Sequence, residues 1–167
     1  IIEESADNVA KSRYRTSKTF EAVLQGLETQ DDAHLKKIRK KITNFEDEVE
    51  ALRNHLFYFI KNLDDTSVRG SNFYIMVLAN LTDIVQSLEF LAKKSFKHVD
   101  NNHSKLSEGQ MADLKEIQSN FSDLLLTIEK TFLNKDFGDL GNSIEKGGLL
   151  LDLIKSKIDS QIARTRK

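Results

Sequence analysis

Residues 45–53 read FEDEVEALR, which sets Glu46 and Glu50 four positions apart. On a helix that spacing is about one turn, so both carboxylates lie on one face. Carboxylate oxygens paired in this way are ligands for hard cations such as Mg²⁺ or Ca²⁺. Arg53 follows three residues later and offers a simpler role, an ion pair with Glu50 worth ~0.2–0.5 kcal/mol on a helix surface. Glu3 and Asp7 repeat the carboxylate spacing near the start of the chain.

Histidine supplies the other candidate chemistry. DDAH (31–34) and DNNH (100–103) place Asp31 before His34 and Asp100 before His103 at the acid–histidine spacing of di-iron bundles. Those sites also need glutamates projecting inward from other helices. Both motifs fall at turns, which argues against that use, and His55 and His98 read as surface or boundary residues. Phosphate-cradling glycine loops and nucleophile elbows are both missing from the sequence. These readings describe a non-enzymatic chain.

The 167 residues carry 25 basic and 26 acidic side chains, giving a net charge of −1. A nucleic-acid binder would show a basic excess or a one-sided basic stripe. Here the run KKIRKK (36–41) alternates with Leu35, Ile38 and Ile42, so it reads as the solvated side of a helix. With no cysteine, disulfides and thiolate chemistry are excluded. The N-x-Ser/Thr triplets at Asn80, Asn102 and Asn120 are read as chance, two of them lying mid-helix. No apolar run is long enough by eye to span a bilayer.

What must position these residues is helical throughout. Proline is absent, and apolar residues recur at helical spacing between short polar turns. Five helices are expected: the first over about 3–28, the second from an Asp cap at 31 or 32 to about Leu63, the third over roughly 67–98, a fourth opening at Ser107, and the fifth over about 137–165. Ala6, Val9, Phe20, Leu24 and Leu27 line the first. Leu35, Ile38, Ile42, Phe45, Val49, Leu52, Leu56, Phe59, Ile60 and Leu63 line the second. Asp31 or Asp32 caps the second helix, and Ser107 with Gln110 forms a capping box for the fourth. Leu114, Ile117, Phe121, Leu124 and Ile128 line that helix, and their 3-4 spacing favours long, nearly antiparallel packing. Leu140, Ile144, Leu151, Ile154, Ile158 and Ile162 line the fifth. Its Gly147–Gly148 pair marks a bend or the close approach of another backbone. The fold class is an all-α antiparallel bundle.

The third helix has two faces. Val77, Leu78, Leu81, Ile84, Val85, Leu88 and Leu91 form an ordinary core stripe. The other side carries Met76, Ala79 and Phe90 around one acid, Asp83. Either it is a contact surface, or the helix is central and buries both sides. A faint repeat, offset by about a hundred residues, relates the segments beginning at Phe20 and Phe121.

FEDEVEALRNHLFYFI followed by VRGSNFYIMVLANLTDIVQSLEFLAKKS resembles the core of PhoU-like phosphate-regulatory domains. Together with SADNVAKS and YRTSKTFEAVL, the rhythm is most similar to the cytoplasmic C-terminal domain of bacterial sodium/phosphate cotransporters. The resemblance covers most of residues 20–160 and implies a duplicated three-helix unit, here without its last helix. Family acids that can hold metal map onto Glu46 and Glu50, onto Asp83, and onto Asp152. Ala79 and Gly148 replace two others, and Ile84 stands where the family has histidine. The resemblance therefore implies at most one weakly held divalent ion, with no certain cofactor.

It further implies a single domain over 1–167, cut from the C-terminal end of a membrane transporter and lying on the cytoplasmic side of the membrane. Its function would be to regulate phosphate uptake through protein contacts. Candidate partners are the membrane-embedded part of the same chain, a phosphate-signalling protein or a second copy through Met76, Ala79, Asp83 and Phe90; nucleic acid is not expected. The rival is a helical scaffold or dimerisation module of a signalling protein with no link to phosphate.

Overall fold

The computed structural model describes the backbone of residues 2–60, 65–134 and 136–165, and side chains over 4–56, 71–134, 136 and 138–163. Five helices follow in order: α1 (Ile2–Thr29), α2 (Asp32–Ile60), α3 (Asp65–Asp100), α4 (Glu108–Leu133) and α5 (Phe137–Thr165). No strand occurs among the described residues. The helices match those expected from the sequence to within a few residues; α3 begins two residues early, and the expected run of α2 on to Leu63 lies outside the described residues.

The turns form as their residues dictate. Asp31 caps α2, its carboxylate accepting the His34 backbone N–H at 3.0 Å. Ser107 and Gln110 make the reciprocal capping box at the start of α4. Both α1 and α3 end on a residue in the left-handed region, Gln30 (φ 53°) and Asn102 (φ 55°). Behind each, the next N–H reaches back five residues, from Asp31 to Gly26 at 3.0 Å and from His103 to His98 at 3.2 Å. That arrangement satisfies carbonyls a helix end leaves open. The two turns touch, for the Gln30 side-chain amide donates to the His103 carbonyl at 3.3 Å.

Helix α3 is the axis of the bundle. It packs on α2, α1 and α5, while α4 packs on α1 and α5; α2 and α5 do not meet among the described residues. One hydrophobic core draws on all five helices. The α3 stripe from Val77 to Leu91 is buried throughout, as are Phe20, Ile42, Val49, Phe121, Ile154 and Ile158. Leu52, Leu124, Ile117 and Ile144 are only partly buried, against the expectation that they are full core positions. Phe59, Ile60 and Leu63 lie outside the described side chains.

The central position of α3 also explains its composition. Ser71–Asp100 is long and apolar enough to cross a membrane, contrary to the reading by eye, but half of its most apolar stretch is buried inside the bundle. A helix wrapped by three others carries such residues as core. His98, expected at the surface or its boundary, is 1% exposed. Its Nε2 lies 2.9 Å from the Ser104 carbonyl, and its ring stacks on His103.

Candidate functional site

The carboxylates of α2 open onto the seam with α3. Phe45, Val49 and Leu56 turn into the core, which rotates Glu46 and Glu50 toward the flank. There a polar groove of 340 Å³ runs between the helices, lined by Glu46, Asp47, Glu50 and Arg53 of α2 and by Thr82 and Gln86 of α3.

Two features set its electrostatics. Glu46 meets Glu89 of α3, close enough for the two carboxyl groups to share a hydrogen bond. Partial burial, then the Glu89 charge and that bond, raise the Glu46 pKa above the ordinary carboxylate value. Arg53 supplies the opposite charge. Its Nη1 lies 3.5 Å from the Thr82 hydroxyl, itself bonded to the Leu78 carbonyl, and its Nε–H is buried with no acceptor. Arg53 therefore reaches across to α3, and no Glu50–Arg53 ion pair forms among the described residues.

The acids expected to act together are dispersed. Glu46 and Glu50 share the groove, but Asp83 is exposed and is not part of its lining. Asp152 is exposed on α5, which α2 does not touch. Glu3 lies outside the described side chains, and Asp7 is exposed. Among the described residues no three histidines or acids converge as a metal site. Asp31 is occupied as a helix cap, and the His98–His103 stack is a turn contact. What the groove offers is a carboxyl group, Glu46, held protonated to higher pH than usual, beside an unsatisfied guanidinium N–H.

Sequence reasoning passes over Glu89, although Thr82, Gln86 and Glu89 follow at i, i+4, i+7 and so share a face. The second face of α3 also divides. Met76 is 41% exposed and Asp83 is exposed. Ala79 is half-buried, and Phe90 packs on the core toward α5. The ammonium groups of Lys94 and Lys155 lie 5.5 Å and 5.3 Å from the centre of the Phe90 ring. It is a seam residue more than a free contact.

The larger exposed apolar pair lies on α5, where Leu149 is 67% and Leu153 is 63% exposed. Their signal was present, two leucines one turn apart and outside that helix's core stripe. The KKIRKK segment is solvated as expected, with Lys36, Lys37, Lys40 and Lys41 all exposed.

No protein-family model matches the chain, and neither a curated protein nor a solved structure matches it.

Proposed function

We propose that this chain is a non-catalytic helical interaction module, a scaffold that works by presenting one outer helix to a partner protein. The observation that carries this reading is the outward pair Leu149 and Leu153 on α5. Burying a leucine is worth ~1.5–3 kcal/mol, so two adjacent exposed ones form an anchor that a partner can cover. The scaffold behind them is firm, because α5 sets Leu151, Ile154 and Ile158 into the common core. A photo-crosslinking residue in place of Leu153 should give discrete protein adducts in cells. Adducts no more frequent than those from exposed Lys40 would overturn the reading.

A second reading keeps the phosphate connection suggested by the resemblance: a regulatory domain on the cytoplasmic side of a sodium/phosphate cotransporter. What supports it is the resemblance, with five helices in all and the Glu46–Glu50 pair opening onto the seam with α3. It calls for transmembrane segments in the parent gene and for altered phosphate uptake when residues 1–167 are deleted. A parent gene lacking such segments removes it.

A further inference from the structure

We infer that the α5 face carrying Leu149 and Leu153 is a self-pairing surface, closed by α5 of a second copy running antiparallel across a twofold axis midway between the two leucines. This inference rests on the interaction-module reading and names the partner.

The argument begins with a ridge. Glu145, Leu149, Leu153 and Lys157 follow at i, i+4, i+8 and i+12, and all four are exposed. Residues at that spacing form one continuous row on a helix, the row that interdigitates when two helices pack at their commonest crossing angle. Its order is acid, leucine, leucine, base. The leucines fix the centre of a symmetric contact, since a twofold axis midway between them sets Leu149 of each copy against Leu153 of the other.

The charges then test that centre independently. The same axis sets Glu145 of each copy against Lys157 of the other, on both sides of the leucines. Asn142 faces Ser160, Lys146 faces Ser156, and no like-charged residues fall opposite. A parallel pairing would instead set Glu145 against Glu145 and Lys157 against Lys157. Neither Glu145 nor Lys157 forms an ion pair within the chain among the described residues, so both are available. Gly148 lies beside the ridge, and a Cβ there would meet nothing within 4 Å, which leaves the approach clear.

One helix pair buries less than a standard stable interface, so a weak, reversible dimer is expected. Sedimentation equilibrium of the 167-residue chain over roughly 10–500 µM should show a monomer–dimer equilibrium, in the weak range such interfaces occupy. Leu153→Asp should abolish it while leaving the melting temperature nearly unchanged. Glu145→Lys and Lys157→Glu should each weaken association about tenfold, and the double exchange should restore it. That restoration belongs to the antiparallel register alone.

A chain monomeric throughout this range overturns self-pairing, as does association indifferent to Leu153→Asp or a double exchange that fails to restore it. If the chain is monomeric yet Leu153 crosslinks to a different protein in cells, self-pairing falls and the module reading stands.

Discussion

Glu46 on α2 and Glu89 on α3 face each other across the seam, and partial burial with the Glu89 charge keeps Glu46 protonated to higher pH than an ordinary glutamate. The folded state thus holds this proton more tightly than the unfolded chain does. Linkage then fixes the direction. The contribution to stability is fully present below the unfolded carboxylate value and is lost as pH rises through the raised folded one. Glu46→Gln removes the loss, so it should stabilise the chain by ~0.5 kcal/mol at pH 7, a modest figure because the pair is partly solvated. Near pH 4, around the ordinary glutamate value, the gain should shrink toward zero. Urea unfolding of both proteins at the two pH values checks this, and an equal gain at both would rule out ionisation as the cause.

A second charge relationship runs the other way. Arg13 of α1 pairs with Glu129 of α4, whose residue is only 8% exposed, and the bond joins two helices that share the core. Arg13→Met strands a nearly buried carboxylate, and leaving such a group unsatisfied costs ~1–3 kcal/mol. Replacing both, as Arg13→Met with Glu129→Leu, should recover most of that loss, because paired burial is itself expensive. Thermal unfolding of the single and double variants gives the comparison. Additive losses would show that the two side chains act separately.

The helix stripes were legible because α-helical period and burial agree nearly everywhere. Val49, Leu88, Phe121 and Ile154 were expected in the core and are there. The same holds for Asp31 and Ser107, whose capping chemistry is local and needs no tertiary information. Residues whose role depends on which helices become neighbours were not legible. Glu46 meets Glu89, 43 positions on, and that meeting depends on how α2 and α3 are rotated about their axes. Leu52 and Leu124 sit at the margins of their stripes, where a small rotation decides between burial and exposure. His98 shows the same limit, buried because two turns at one end of the bundle meet.

Two glycines should respond oppositely to alanine. A Cβ on Gly26 would lie 2.7 Å from Cγ and Cδ2 of Leu35, a fully buried side chain with little room to yield. Gly26→Ala should therefore destabilise by ~1–3 kcal/mol through overpacking, despite alanine's better helix propensity. Gly148 has open space around its Cβ position, so Gly148→Ala should stabilise by about 0.5–1 kcal/mol from propensity alone. The expected close approach of another backbone is not found at either Cβ position. Helix α5 is continuous, and Gly147 lies against the side chains of Leu124 and Ile128, each 3.6 Å from its Cβ position. Chemical denaturation of both variants separates clash from propensity, and a stabilised Gly26→Ala would mean Leu35 moves freely.

Phe90 should report on folding and not on association. Its ring is partly buried against the core, with Lys94 and Lys155 over it. Phe90→Ala forfeits part of an aromatic side chain's burial and its cation–π contacts, a loss of ~2 kcal/mol. Phe90→Asp should cost more, because the seam would take in a carboxylate, although the neighbouring lysines can partly compensate. Neither change touches the outer face of α5, so association at equal folded concentration should match the parent chain. Leu153→Asp has the reverse profile: a 63% exposed leucine can be replaced with a stability change of ~0.5 kcal/mol or less. Melting temperature and sedimentation, measured on both variants, place each residue. If Phe90→Asp leaves stability untouched and abolishes association, the contact face lies on α3 and the role given to α5 fails.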